Sequence, residues 1–363
     1  MARRPTRLRS RPFAEALLEW YDANKRDLPW RRTKDPYAIW LSEVMLQQTT
    51  VKAVEPRWRR FLQRWPTLRD LARAPLADVL HEWTGLGYYA RARNMHRAAV
   101  QAGDALPCSY SELLKLPGLG EYTAAAVASI AHGERVPLVD ANAGRVLARV
   151  YTIGEEINSA AGKKKLRAHA EALVPAARPG DFNQALMELG AMICTPRDPS
   201  CPICPVATEC AAFRSATQAQ YPCIKAKEKM SGVREAAVVL RDADQRVLVL
   251  LRGSSGSFAN MWELPRVVVE KDEEPPDAAA RAMRELAGLR VKCGRELLVV
   301  RHTVMRSNIT LHVVEASCAH IRKTIVPSQH VEARWVSLSE WGRLPKSITQ
   351  ERVRKALQRL NEE

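Results

Sequence analysis

The 363-residue sequence predicts a multidomain chain, an all-α domain followed by an α+β domain. Three observations predict it. The length exceeds the roughly 250–300 residues at which a single hydrophobic core stops growing. From Phe13 to about Phe213 apolar residues recur at three and four positions, with breaks at Pro and Gly, which is the helical period. Beyond residue 235 the pattern turns to β-branched alternation, the period of half-buried strands.

Taken in order, the chain opens on a basic arm, residues 1–12, carrying Arg3, Arg4, Arg7, Arg9 and Arg11 with no acid before Glu15. The arm lacks the apolar stretch of a secretory signal; an organelle transit peptide fits it, and so does an arm that meets phosphates, which is the reading preferred. Helices are then expected over Phe13–Tyr21, Pro36–Thr50, Val54–Trp65, Leu76–Trp83, Arg91–Ala102, Ser111–Leu116, Tyr122–His132, Ala143–Tyr151, Lys164–Val174 and Phe182–Ile193, forming one domain over 13–213. Residues 214–234, polar and basic with Lys225, Lys227 and Lys229, read as a linker. In the second domain, 235–363, strands are expected over Ala236–Arg241, Val247–Arg252, Val267–Val269, Leu297–His302, Thr310–Ser317 and Ala333–Val336. Asp242-Ala243-Asp244-Gln245 offers a hairpin turn between the first two, and helices are expected over Pro276–Ala287 and Thr349–Leu360.

Composition narrows the function. With 46% hydrophobic and 26% charged residues the chain is not mainly disordered. No apolar run approaches the ~18–20 residues of a membrane span. Lys and Arg number 56 against 40 acids, a net charge of +16, which points to a polyanionic partner, nucleic acid before a membrane surface. Of eight cysteines, Cys108, Cys223, Cys293 and Cys318 are scattered, as in a reducing compartment, cytosolic or nuclear.

Four motifs carry chemistry. Cys194, Cys201, Cys204 and Cys210 fall within seventeen residues, in a loop that Pro196, Pro199, Pro202 and Pro205 keep from becoming a helix. Four thiolates at such spacing suit a tetrahedral zinc or an iron–sulfur cubane, and spacing alone does not choose between them. Leu116-Pro117-Gly118-Leu119-Gly120 joins two helices; Gly118 and Gly120 allow a tight turn whose bare N–H groups can seat a phosphate, although an ordinary connector has the same look. Glu43 has Ile39, Trp40 and Leu46 as its helical neighbours, so it is expected to hold its proton, whereas Asp140 opens a helix whose free N–H groups favour the anion. Such a split pair suits glycosidic hydrolysis, one acid for the leaving group and one anion for an oxocarbenium ion; a solvated Glu43 and a merely capping Asp140 is the plainer alternative. Finally Trp30, Gln47, Gln48, Tyr88 and Tyr89 lie near turns or helix ends, where flat or wedge-shaped groups can enter a duplex, unless they are simply core.

The segments Leu28-Pro29-Trp30-Arg31, Ser42-Glu43-Val44-Met45-Leu46-Gln47-Gln48-Thr49, Gly85-Leu86-Gly87-Tyr88-Tyr89, Leu116–Thr123, Val139-Asp140-Ala141-Asn142 and the four-cysteine loop together give the chain its resemblance to a known family. It resembles the MutY adenine DNA glycosylases, within the helix-hairpin-helix superfamily of endonuclease III. The resemblance implies a helix-hairpin-helix glycosylase domain with a [4Fe-4S] loop over 194–210, followed by a Nudix-like domain that inspects the opposite base. It implies removal of adenine mispaired with 8-oxoguanine or guanine from double-stranded DNA, by a single copy of the chain, in a bacterial cytoplasm. Glu43 is then the acid at adenine N7, Asp140 stabilises the sugar cation, and Tyr122 and Asn142 place groups around it. Gln48, Tyr88 and Tyr89 look like occupants of the opened stack, with Gly118 and Gly120 at the phosphate backbone. Trp30, Arg31 and Glu188 look like adenine-pocket neighbours, and the four cysteines look like the ligands of the cluster.

Details of the match refine the expectation. Endonuclease III relatives carry lysine at the position of Tyr122; tyrosine forms no Schiff base, so a monofunctional enzyme that leaves an abasic site is expected. The segment Arg284–Leu289 lacks the clustered glutamates that hold magnesium in a Nudix hydrolase, which points to recognition without hydrolysis. Ala141 stands where many relatives carry glycine. The Phe-Ser-His reader of 8-oxoguanine is missing, and Arg306, Ser307 and Asn308 are the residues that could supply donors instead. The competing readings are an endonuclease III-like lyase, a non-catalytic DNA binder and a nucleotide diphosphatase.

Overall fold

The computed structural model describes residues 12–225, 230–256, 258–304, 306–319 and 324–362. The basic arm, apart from Pro12, lies outside them, as do Lys227 and Lys229 of the expected linker. Contacts divide the chain into two units, Met1–Ala72 with Arg97–Ala226, and Arg73–His96 with Lys227–Glu363. This grouping cuts across the helical domain expected over 13–213, because residues 73–96 join the second unit.

In the first unit, helices run over Phe13–Asn24, Pro36–Leu46, Val51–Arg64, Glu121–His132, Ala141–Val150, Ala160–Leu173 and Pro179–Met192. Their starts follow local chemistry: Asp35, Asp140 and Ser159 each accept a backbone N–H of the first turn through the side chain. Helix Pro36–Leu46 stops four residues short of the expected Thr50, since Gln48 takes a left-handed φ of 57°. Phe13, Leu17 and Tyr21 pack in one core with Val146, Leu147, Phe182, Leu186 and Leu189. Helix Glu121–His132 is buried continuously from Thr123 to Ile130, which its run of alanines permits by leaving room for neighbours on every side. Gly190 has a tighter duty: a Cβ there would sit 2.7 Å from Asn142 Cβ and 2.8 Å from its carbonyl oxygen. The first half of the expected linker is fastened to this unit, for Arg149 donates to the carbonyls of Gln218 and Tyr221.

The second unit contains strands β1 (Ser231–Leu240), β2 (Val247–Leu251), β3 (Trp262–Glu263), β4 (Arg266–Val268), β5 (Lys292–Val304), β6 (Ser307–Ser317) and β7 (Glu332–Val336). A four-stranded sheet has the order β4-β1-β6-β5, with β1 and β6 parallel, and a three-stranded sheet has the order β3-β2-β7. Ala236, Val238 and Leu240 of β1 enter a core with helix Pro275–Ala287, while Ala237 and Val239 enter a second core with Trp341 and helix Ile348–Glu362. The period of two sends alternate residues to opposite faces, and helices cover both.

The expected β1–β2 hairpin needs correction. A turn exists, with the Asp242 N–H donating to the Arg246 carbonyl at 3.0 Å, but after a single bridge between Arg241 and Val247 the strands part into different sheets. Strand β3, two residues long, was too short for any period to register. No helix among the described residues is long and apolar enough to cross a membrane.

Candidate active site

A cavity of about 700 Å³ in the first unit is lined by Trp30, Arg31, Glu43, Gln48, Tyr122, Asp140, Asn142 and Glu188. Eight residues singled out from sequence therefore share one wall system. Glu43 projects from helix Pro36–Leu46 and is only 6% exposed. The Tyr122 hydroxyl, from the first turn of helix Glu121–His132, donates to Glu43 Oε2 at 2.5 Å and lies 3.5 Å from Met187 Sδ. Burial pushes the Glu43 carboxyl up to about 7; the Tyr122 hydrogen bond and the Arg31 charge pull it down, and Asp140 pushes it further up. Burial likewise holds the Tyr122 phenol well above its ordinary value, so it stays a neutral donor.

Asp140 caps helix Ala141–Val150, accepting from the Ala143 N–H at 2.7 Å and from Asn142 Nδ2 at 3.2 Å. The donors expected at this helix start are in place, and burial opposes them. Burial raises the Asp140 carboxyl above the ordinary aspartate value, outweighing the hydrogen bonds from Ala143 and Asn142 that favour the anion. Asn142 is held in turn by Arg145, whose Nη2 donates to Asn142 Oδ1 at 2.9 Å.

Arg31 and Glu188 line the cavity as neighbours of one another, tied into one ion cluster. Glu188, 1% exposed, spends both oxygens on two arginines: Arg31 through Nη1 and Nη2 at 3.0 and 2.8 Å, and Arg26 through Nε and Nη2 at 2.8 and 2.7 Å. The Arg26 N–H adds a fifth bond at 2.9 Å. Burial pushes the Glu188 carboxyl up, but these donors outweigh it and hold it at about 2. The cluster is an internally satisfied wall. Trp30 closes it, packed edge-on against Trp58 with ring centroids 5.9 Å apart. Arg26 was missed because Glu188 is 162 residues away in the chain and nothing local marks the pair.

Other expected site residues lie outside this cavity. Gly118, with φ 78°, makes the left-handed turn of the hairpin, whereas Gly120 has extended backbone at the helix start. Tyr88 and Tyr89 belong to the second unit. Tyr88 is 52% exposed with φ 45°, but Tyr89 is 3% exposed and donates its hydroxyl to the Lys346 carbonyl at 2.9 Å. Tyr89 is therefore corrected from a stack-filling group to a buried one. Arg306, Ser307 and Asn308 stand at the β5–β6 hairpin end, where the hydroxyls of Ser307 and Ser231 meet at 3.1 Å and Thr303 donates to Asn308 Oδ1 at 3.0 Å.

The four clustered cysteines are unpaired thiols lining one cavity of about 20 Å³. Arg149 Nη1 approaches Cys194 Sγ at 3.3 Å and Gln218 Nε2 approaches Cys201 Sγ at 3.7 Å. Donors aimed at sulfur suit thiolates, so the residues fit a group held by four Cys ligands. Among the described residues no group of three or more His, Cys, Asp or Glu is gathered as for a single metal ion.

Comparison with known proteins agrees with this geometry. Residues 41–176 match the family described as HhH-GPD superfamily base excision DNA repair protein, and residues 236–356 match the NUDIX domain. The adenine DNA glycosylase of Homo sapiens is 35% identical over 400 residues, covering 94% of this chain and 73% of its own length. That of Arabidopsis thaliana is 38% identical, over 73% of this chain and 48% of the relative, so the chain spans about half of it. Among solved structures, a thermostable thymine-DNA glycosylase is similar at 33% identity with a TM-score of 0.52, over 56% of this chain and 95% of that one.

Proposed function

Because this chain belongs to the adenine DNA glycosylases of the HhH-GPD base-excision repair superfamily and is a DNA glycosylase, we propose that it removes adenine mispaired with 8-oxoguanine or guanine in duplex DNA by hydrolysis of the N-glycosidic bond. One observation carries the reading: a cavity that can take a flipped base brings together a carboxyl poised near neutrality, a hydroxyl bonded to it and a second carboxylate at a helix start.

The steps balance with these groups alone. Protonated Glu43 gives its proton to adenine N7 as the C1′–N9 bond breaks, and the bond pair leaves with neutral adenine. Asp140, as the anion, faces the cationic sugar. Water adds at C1′, and its proton returns to Glu43. Tyr122 keeps the Glu43 carboxyl in place, and with a phenol in that position the product is an uncut abasic site. Tyr88 fills the space the base leaves in the duplex.

Two further elements complete the proposal. The cysteine cavity is the seat of a [4Fe-4S] cluster, held by Cys194, Cys201, Cys204 and Cys210, which when bound would cross-link the loop by four thiolate bonds. Arg306, Ser307 and Asn308, at a hairpin end, are the candidates for reading the base opposite adenine. The test is a single-turnover assay on duplexes with adenine opposite 8-oxoguanine, guanine or thymine, for wild type and Glu43→Gln, with and without alkali. Release opposite 8-oxoguanine and guanine that vanishes in Glu43→Gln, with uncut strands before alkali, is expected. Binding without release by wild type would overturn the catalytic reading.

A further inference from the structure

The loop that carries Tyr88 lies wholly in the second unit, together with the C-terminal segment it touches. Gly85, Gly87 and Tyr88 have φ of 96°, 69° and 45°. Glycine adopts such values freely, but a bulky aromatic keeps one only where its surroundings impose it. The surroundings here are specific. Trp83 Nε1 donates to the Gly87 carbonyl at 2.9 Å, and Arg91 Nη2 donates to the carbonyls of Leu86 and Gly87 at 2.8 and 3.2 Å. The Arg91 guanidinium lies 5.3 Å from the Trp83 ring and 5.6 Å from that of Tyr88.

Outside these bonds, the two flanks of the loop converge on one acceptor. Tyr89 Oη donates to the carbonyl of Lys346 at 2.9 Å, and Thr84 Oγ1 lies 3.5 Å from that carbonyl and equally far from the Leu80 carbonyl. The Lys346 carbonyl is fixed from behind, because the Lys346 side chain, 1% exposed, turns back to donate to the carbonyls of Gly342 and Leu344 at 2.9 and 2.8 Å and lies 3.6 Å from Glu351. One turn further on, in helix Ala90–Ala102, Arg93 donates to the carbonyls of Ala259 and Gly256, both at 3.2 Å.

We infer that the Lys346 carbonyl positions Tyr88 for entry into the duplex, with Tyr89 and Thr84 as positioning residues, so that the C-terminal unit takes part in extruding the target base and not only in reading its partner. This rests on the proposal that Tyr88 fills the opened stack. A wedge must be stiff to displace a base, since a ring free to swing spends its contact energy on being ordered. Removing the Tyr89 hydroxyl leaves its buried ring in place but frees one flank of the loop, and Tyr88 then relaxes out of its left-handed backbone.

The test is a double-mutant cycle in the full chain, with wild type, Tyr88→Ala, Tyr89→Phe and the double variant. The readouts are the single-turnover rate of adenine release and the fluorescence of a 2-aminopurine placed next to the target adenine, which rises on unstacking. Tyr89→Phe should lower both by about threefold to tenfold, the range for one buried hydrogen bond, without a comparable change in the melting curve. In the Tyr88→Ala background the same substitution should do nothing further. Lys346→Met, which releases the carbonyl from behind, should show the same masking and serves where Tyr89→Phe folds poorly. Losses that add across the cycle, or a silent Tyr89→Phe, would overturn the positioning role. A Tyr88→Ala variant with unaltered unstacking would instead remove the wedge reading beneath it.

Discussion

Replacing Tyr122 by phenylalanine tests the electrostatics of the acid directly. The hydroxyl donates to Glu43 Oε2 at 2.5 Å, and a donor to a carboxylate stabilises the charged form, so its removal raises the Glu43 pKa. A hydrogen bond to a charged group is worth about 1.5–3 kcal/mol, and one pH unit corresponds to about 1.4 kcal/mol, which gives a rise of about one to two units. The lower figure is expected, because a 700 Å³ cavity admits water that replaces part of the lost bond. Under the proposed mechanism the acid works as the protonated form, so the wild-type rate should be level below about 7 and fall tenfold per unit above it. In Tyr122→Phe that descending limb should move to about 8, whatever happens to the maximum rate. Single-turnover adenine release from pH 5.5 to 9.5, with the duplex confirmed intact across the range, measures both limbs. A limb that stays at 7 or moves lower would refute the assignment of Glu43 as the titrating acid held by Tyr122.

Three more outcomes follow from the same geometry. Glu43 is pushed from 4.5 to about 7 on folding, so the stability it allows is fully present below pH 4.5 and is lost as the pH rises through 7; Glu43→Gln should therefore raise the melting temperature at pH 8, by up to about 3 kcal/mol in stability, and give no gain at pH 4. Glu188→Gln should cost about 3 kcal/mol in denaturant unfolding, because it strips the charge from a carboxylate that Arg26 and Arg31 both clasp. Gly190→Ala should slow base release by at least about tenfold, since its Cβ would press on Asn142, the residue next but one to Asp140, and a misplacement of 1 Å is enough for such a loss; an unchanged single-turnover rate would show that the helix yields instead.

The parts of this protein legible from sequence are those governed by short-range order. The helical period located each long helix of the first unit to within a few residues, and Glu43 could be seen facing an apolar stripe because its neighbours are three and four positions away. What stayed hidden depends on contacts between distant positions. The Arg26–Glu188 bonds span 162 residues and the Tyr89–Lys346 bond spans 257. The divergence of β1 and β2 into separate sheets was hidden for the same reason, since a turn sequence specifies the turn and not what each strand pairs with afterwards. Strand β5 runs from Lys292, five residues before its expected start, because register shifts between Cys293 and Leu298 interrupt the alternation there.

Both carboxyls of the cavity are raised by burial, and the difference between them lies in what hydrogen-bonds to each. Asp140 receives a backbone N–H at a helix start and an amide from Asn142, two donors that fold with it as a unit and that no titration removes. Glu43, in mid-helix, has its backbone neighbours committed to the helix itself, so the donor in reach is the side chain of Tyr122. A proton that leaves or reaches Glu43 therefore does so without disturbing a backbone cap. Under the proposed mechanism the division of labour between acid and anion follows from where each residue stands in its helix, inside for the acid and at the cap for the anion, so exchanging Asp140 for asparagine should harm the sugar-cation step while leaving the alkaline limb set by Glu43 above the ordinary glutamate range. A single-turnover pH profile of Asp140→Asn whose residual activity lost that limb would show that the two carboxyls titrate as a pair, and that helix position alone does not divide their roles.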